Sequence, residues 1–134
     1  MTTELDRGFY EEMLEQALQE FPNECCGLIV ANGDGRPVRV YPMTNADASP
    51  ATYRLDGKEQ LRVFDELDEK GWELFAIYNS HTHSEAYPSE TDRRLALYPE
   101  ALYMVLSLAD RENPVIRSFR ITDGEVEEEE LSIR

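Results

Sequence analysis

The segment Leu74-Phe75-Ala76-Ile77-Tyr78 is apolar at successive positions, so a strand built from it has two apolar faces. Such a strand needs cover on both sides, which predicts a central position in a sheet flanked by helices. Two segments have the apolar spacing of amphipathic helices, residues 7–20 and residues 58–70, and Gly71 ends the second. We therefore expect a layered α/β arrangement around this strand.

Turn residues mark the other strands. Asn32-Gly33-Asp34-Gly35 and Asp123-Gly124 are turn sequences that predict two hairpins. The glutamates at 127–130 suit a solvated edge strand. We expect one α/β domain over residues 1–134, with a mixed, mostly antiparallel sheet and flanking helices. The expected strands are 26–31, 38–43, 73–80, 103–108, 115–121 and 126–133, with a loop at 44–50 and a third helix from Pro88-Ser89 to about residue 97.

The charge and the cysteine content limit the classes of protein to which this chain can belong. Acidic residues outnumber basic ones by 28 to 13, and a net charge of −15 repels nucleic acid and anionic membranes, so we expect neither as a partner. No apolar run reaches the roughly 18 residues of a membrane span, and the first residues lack the order of a signal peptide. These features predict a soluble cytoplasmic protein. The adjacent Cys25 and Cys26 lack the spacing of a zinc site, and we expect both to be buried in a strand.

The two histidines of the chain, His81 and His83, come at the end of the predicted central strand. Side chains two residues apart share a face of an extended chain, so both imidazoles can converge on one ion. With Asp92 nine residues after His83, they complete the three-ligand set of a hydrolytic zinc site. Each part also has a structural explanation, because Ser89-Glu90-Thr91-Asp92 fits a helix capping box and His-x-His is common in solvated loops.

Short motifs extend this pattern over nearly the whole chain: Glu24-Cys25-Cys26-Gly27-Leu28, Pro42-Met43-Thr44-Asn45-Ala46, Tyr53-Arg54-Leu55-Asp56, Ser80-His81-Thr82, Glu85-Ala86-Tyr87-Pro88-Ser89 and Ser118-Phe119-Arg120-Ile121. Together with Asp92 they resemble the JAMM (MPN-plus) metalloprotease family. The similarity is greatest to its bacterial branch, the peptidases that release cysteine from the C-terminus of a ubiquitin-like sulfur carrier protein.

The resemblance implies a single MPN-type domain that binds Zn²⁺ and hydrolyses a peptide or isopeptide-like bond after the Gly-Gly tail of a carrier protein. His81 and Asp92 would hold the zinc with a third residue. Glu24 would take a proton from water and pass it to the departing amine. The Ser89 hydroxyl would donate to the oxyanion. The identity of the carrier, the amine that leaves and the oligomeric state stay open.

One position departs from the family pattern. The family motif runs His-Ser-His, then seven residues to a serine and two more to an aspartate, and counting back from Ser89 reaches His81 as the second histidine. Asn79 then stands at the position of the first histidine. An amide oxygen is a poorer zinc ligand than an imidazole, so metal binding is expected to be weakened unless another ligand substitutes.

Two hypotheses follow from Asn79. In the first, the chain is an active zinc peptidase in which His83 serves as the third ligand or Asn79 is tolerated. In the second, the domain is inactive and binds the carrier tail without cleaving it, the histidine having been lost naturally or replaced to silence the enzyme. A zinc deaminase is excluded, because the chain has no Pro-Cys-x-x-Cys motif.

Overall fold

The computed structural model of the protein describes residues 2–134. Within these residues, no helix is long and apolar enough to cross a membrane. The elements are β1 (Thr2–Leu5), α1 (Arg7–Glu20), β2 (Cys26–Ala31), β3 (Pro37–Met43), α2 (Gly57–Lys70), β4 (Glu73–His81), α3 (Glu90–Arg94), β5 (Leu102–Ser107), β6 (Val115–Thr122) and β7 (Glu125–Ile133).

Strand β4 lies inside the sheet, as its apolar sequence predicts. The strand order is β1-β7-β6-β5-β4-β2-β3. β1 pairs with β7 and β4 pairs with β5 in parallel, while the other neighbours are antiparallel, which confirms a mixed, mostly antiparallel α/β fold. Ile77 packs in the core that α2 covers, whereas Ala76 and Tyr78 pack in the core that α1 covers. Both faces of β4 are therefore buried.

Local sequence determines where α2 begins and ends. The Asp56 carboxylate accepts hydrogen bonds from the backbone N–H groups of Lys58 and Glu59, which otherwise have no partner in the first turn. Gly71 takes a φ of 68°, a left-handed conformation that glycine adopts without steric cost. The predicted helix at 58–70 is confirmed, with Gly57 added at its start.

Both predicted hairpins are confirmed as the antiparallel pairs β2–β3 and β6–β7. In the second, Asp123 and Gly124 have φ angles of 51° and 80°, the pair of positive values that a tight two-residue turn requires. The two cysteines are free and buried, as expected, and burial raises the pKa of Cys25 to about 12. Burial raises the pKa of Cys26 as well, which disfavours the thiolate form of both residues.

One expectation about the chain is wrong. Helix α3 ends at Arg94 instead of near residue 97, because the N–H groups of Leu97 and Tyr98 donate to the Tyr103 hydroxyl, each at 3.1 Å, and not to helix carbonyls. The edge position of the glutamates is confirmed in part: the glutamates at 127–129 pair with β6 and have no partner in Thr2–Leu5, whereas β1 pairs with β7 from Glu130 to Ile133. The short polar segment Thr2–Leu5 has no alternation that predicts a strand.

Candidate active site

The start of β2 and the end of β4 are joined side by side, and this pairing brings Glu24 to Asn79. The Cys25 N–H donates to Ser80 Oγ at 2.8 Å, and the Ser80 N–H donates to the Cys25 carbonyl at 3.0 Å. Glu24 immediately precedes this junction, and Asn79 Nδ2 donates to Glu24 Oε1 at 3.4 Å. Both side chains are buried. The backbone thus places a carboxylate next to the residue at the family's first ligand position.

The loop after β3 fixes the backbone of Glu24. The Glu24 N–H donates to the Ser49 carbonyl at 2.9 Å, and Asn45 Nδ2 donates to the Glu24 carbonyl at 3.0 Å. Asn45 Oδ1 also accepts from the Arg54 N–H at 3.1 Å, so one buried amide connects three segments of chain. Sequence reasoning missed this positioning role of Asn45, and its polar loop setting carried no signal beyond a turn.

His81 and Asp92 meet at the end of β4, where His81 Nε2 lies 2.9 Å from Asp92 Oδ2. On the other side of the ring, His81 Nδ1 lies 2.9 Å from the Glu85 carbonyl oxygen. A carbonyl only accepts, so Nδ1 carries the proton and Nε2 of the neutral ring presents a lone pair. A lone pair facing a carboxylate needs a positive charge between the two atoms, either a proton or a metal ion.

The electrostatics of His81 agree with this arrangement. Burial alone would lower the pKa of His81, but the hydrogen bond to Asp92, the contact with the Glu85 carbonyl and the nearby carboxylates together raise it above its ordinary value. The ring therefore takes up a proton more readily than a free histidine when no other cation is bound.

Asp92 and Ser89 form the capping box that the sequence suggests. The Asp92 N–H donates to Ser89 Oγ and the Ser89 N–H donates to Asp92 Oδ2, each at 3.0 Å. The cap does not exclude a role in the site, because Asp92 Oδ2 also faces His81. Ser89 Oγ accepts in the cap, so its own proton is free to donate to another group.

Glu24 has an unusual protonation behaviour. Burial raises the pKa of Glu24 to about 7, with the negative charge of Asp92 acting in the same direction and the positive charge of His81 opposing it. The Asn79 amide, which donates to the carboxylate, also opposes the rise. A carboxyl group that titrates near neutrality is suited to accept and return a proton.

An open cleft of about 380 Å³ connects Glu24, His81 and Ser89 with the solvent. His83 also lines this cleft, but within residues 2–134 it does not group with His81 and Asp92 as a set that could hold a metal ion. β4 ends at His81 and the chain bends through the next residues, so the expected continuation of the extended chain does not occur. The exposed His83 ring packs against Phe21 instead, with 5.9 Å between the ring centroids.

A second groove, of about 230 Å³, reaches Asp92 from the other side. Seven of the eleven residues that line this groove are aromatic or aliphatic, among them Tyr53, Leu55, Tyr98 and Tyr103, whereas six of the eight residues that line the first cleft are polar. The His81–Asp92 pair therefore lies between a polar cleft and an apolar groove.

Zinc requires three protein ligands, and this site offers two of them. His81 Nε2 and Asp92 Oδ2 lie 2.9 Å apart, close enough to bind one divalent ion, and the Glu85 carbonyl fixes the histidine tautomer as an outer partner does in zinc sites. Asn79 supplies only an amide at the third position. In residues 2–134, no three His, Cys, Asp or Glu side chains are grouped to hold a metal. The set thus fits zinc at two positions and lacks a strong third ligand.

Comparison with known proteins gives the family. Residues 6–122 match the family described as prokaryotic homologs of the JAB domain. A protein of Mycobacterium tuberculosis named CysO-cysteine peptidase is 43% identical over 122 residues, covering 90% of this chain and 84% of that protein. A protein of Haloferax volcanii named desampylase is 33% identical over 95 residues, covering 69% of this chain and 68% of that protein.

Solved structures agree with this match. The solution structure of a protein from Desulfitobacterium hafniense has a TM-score of 0.87 at 39% identity, covering 100% of this chain and 93% of its own. A JAB1/MPN domain protein from Archaeoglobus fulgidus shares the fold, with a TM-score of 0.63 at 19% identity and coverage of 96% and 98%. The resemblance to the JAMM/MPN proteins is confirmed, and by its named relatives the chain is a hydrolase. It belongs to the prokaryotic JAB-domain family.

Proposed function

We propose that this chain is a zinc-dependent peptidase that hydrolyses the bond after the C-terminal Gly-Gly of a ubiquitin-like sulfur carrier protein. The observation that carries the proposal is the buried contact of His81 Nε2 with Asp92 Oδ2, two lone-pair donors with Glu24 nearby. The names of the relatives, a CysO-cysteine peptidase and a desampylase, support a carrier protein as substrate.

His81 and Asp92 would hold the zinc, with Asn79 or His83 as the third ligand. Zinc, when bound, lowers the pKa of water from about 15.7 to roughly 7 and so supplies hydroxide near neutrality. Glu24 accepts the proton of the attacking water and later delivers it to the departing amine. Burial raises the pKa of Glu24 in the metal-free protein, and the positive charge of a bound zinc ion would lower it, so the carboxylate form that accepts the proton is favoured when the metal is present.

The remaining side chains of the site bind and orient the substrate. The Ser89 hydroxyl, whose proton is not used in the cap, donates a hydrogen bond to the substrate carbonyl oxygen as the carbonyl carbon becomes tetrahedral. The groove that reaches Asp92 and the cleft that reaches His81 suit the two sides of a scissile bond. We assign the apolar groove to the extended tail of the carrier and the polar cleft to the amine that leaves, because the proton donors and acceptors line the cleft.

A second candidate function, tail binding without cleavage, is favoured by one observation, Asn79. Its amide contacts Glu24 and supplies no imidazole to a metal ion. A domain with this substitution retains the groove and the cleft, so it keeps the surfaces that would bind the tail while hydrolysis is lost.

Zinc content and hydrolysis, measured on the same samples, distinguish the two functions. We expect the wild-type protein to contain zinc and to release cysteine from a carrier–cysteine adduct, and Asn79→His to bind zinc more tightly. Gln19→His, which adds a histidine on the exposed face of α1, is the matched control and should change neither. If only Asn79→His binds zinc and cleaves, the wild-type chain is the non-cleaving tail binder.

Replacement of His83 identifies the third ligand. Zinc content and activity that disappear in His83→Ala would show that His83 moves from Phe21 to complete the site. Zinc and activity that persist in His83→Ala and disappear in Asn79→Ala would assign the third position to the amide.

A further inference from the structure

Arg111 is an exposed cation with no ion pair within residues 2–134. Its guanidinium lies over the ring of Phe21, 4.4 Å from the centroid. In a chain of net charge −15, carboxylates that could pair with a free arginine are abundant. Stacking on an aromatic ring holds the group in place and leaves its N–H donors open to another partner.

The contacts of Arg111 place it close to the polar cleft, behind His83, which lines the cleft. β4 and β5 run in parallel, so the loop after β5 starts at the same end of the sheet as His81. The Leu108 N–H donates to the His81 carbonyl at 2.8 Å, and Arg111 follows three residues later. The Phe21 ring beneath Arg111 also contacts His83, which lines the cleft.

We infer that Arg111 binds the free carboxylate of an amino acid that leaves from the polar cleft. The inference rests on the proposed function and deepens it, because it selects the class of leaving group. A cysteine attached through its α-amine presents a carboxylate beside the scissile bond, whereas a protein lysine attached through its side chain presents none. The planar guanidinium matches a carboxylate with two parallel hydrogen bonds.

The electrostatic setting strengthens this argument. A cysteine that is still bonded through its amine carries a negative carboxylate, which the field of a strongly acidic protein repels, and a nearby guanidinium offsets this repulsion. Phe21 acts as a positioning residue, since its ring fixes the guanidinium. His83 forms the wall between Phe21 and the cleft.

The test measures binding and needs no turnover. Glu24→Gln protein is titrated with three fluorescent peptides that share one tail sequence and end in Gly-Gly-amide, Gly-Gly-Cys with a free carboxylate, and Gly-Gly-Cys-amide. We expect the Gly-Gly-Cys peptide with a free carboxylate to bind roughly tenfold more tightly than Gly-Gly-Cys-amide. A charge-assisted hydrogen bond at a partly exposed site strengthens binding by about this factor.

Arg111→Gln, added to the same protein, should abolish the preference for the acid and leave the affinity for both amides unchanged. Phe21→Leu should reduce the preference while retaining the affinity for both amides. Arg36→Gln, an exposed arginine in the β2–β3 turn, is the control and should retain the full preference.

Two results overturn the inference in distinguishable ways. Equal affinity for the Cys acid and the Cys-amide, with Gly-Gly-amide bound, refutes the role of Arg111 alone. If the Arg111→Gln protein still prefers the Gly-Gly-Cys peptide with a free carboxylate, the role of Arg111 is likewise refuted. No binding of any peptide refutes the proposed function and the inference with it.

Discussion

Two regions beside each other on the same cleft are held in opposite ways. Glu24, Asn79 and His81 are buried, and backbone pairing between β2 and β4 together with side-chain hydrogen bonds fixes their positions. His83 and Arg111, which we call the rim, are exposed and contact the ring of Phe21, and His83 Nδ1 also lies 2.8 Å from Thr82 Oγ1. Changes in the buried region should therefore alter protonation, metal binding and stability, whereas changes at the rim should leave stability nearly unchanged.

The largest effect is expected for the reaction itself. Glu24→Gln removes the proton acceptor and should lower kcat by about a thousandfold while the zinc content is retained, because Glu24 is not among the expected ligands. The measurement is single-turnover hydrolysis of a carrier–cysteine adduct, in wild-type or Asn79→His protein, whichever cleaves. Glu12→Gln, on the exposed face of α1, is the control. Unchanged kcat in Glu24→Gln would remove Glu24 from the mechanism.

The second largest effect is expected on stability, where Gly27 of β2 packs against Tyr78 of β4. A Cβ at Gly27 would overlap the ring and hydroxyl of Tyr78, which is buried and hydrogen-bonded to Gln16. Gly27→Ala should therefore lower the free energy of unfolding by about 3 kcal/mol in urea denaturation. Gly33→Ala, where the added Cβ meets nothing within 4 Å, should have a far smaller effect. Equal effects of the two substitutions would show that the β2–β4 junction is not tightly packed.

The pH dependence of stability provides a third comparison. The folded-state pKa of Glu24 is about 7, above its ordinary value of 4.5, so the carboxylate destabilises the fold as pH rises between these values. In metal-free protein, Glu24→Gln should be about 2 kcal/mol more stable than wild type at pH 8, and the gain should vanish below about pH 4.5. Urea denaturation at both pH values measures the difference. A gain that does not depend on pH would mean that Glu24 titrates normally.

The smallest effect is expected at the rim. His83→Ala and Arg111→Gln should each change the free energy of unfolding by less than about 0.5 kcal/mol, because both side chains are exposed and His83→Ala removes only one hydrogen bond, to Thr82. The same urea titrations measure it. A loss as large as that of Gly27→Ala would contradict the contrast between the two regions.

Sequence patterns predicted most of the fold, since the signals were local. The helices at 7–20 and 58–70, the two hairpins and the central strand each follow from apolar spacing or turn residues. Strand β1 escaped prediction because its four residues owe their conformation to pairing with β7, at the other end of the chain. The length of α3 was overestimated because Tyr103, in a later strand, takes the N–H groups that would have continued the helix.

The candidate site was predictable in part for the same reason. His81, Asp92 and Ser89 lie within one short segment, and the structure brings them together. The position of His83 depended on whether the chain stays extended beyond β4, which the residues themselves do not determine. The contact between Phe21 and Arg111 joins two loops that are distant in sequence, so no pattern of spacing could indicate it.

The capping box of α3 has a consequence for the history of the site. Its reciprocal hydrogen bonds hold the Asp92 carboxylate toward His81 without help from any ion. Because the fold itself orients the His81 ring and the Asp92 carboxylate, a substitution at position 79 leaves the other two expected ligands in place. Asparagine and histidine codons differ by a single nucleotide, so one mutational step separates the amide at position 79 from an imidazole.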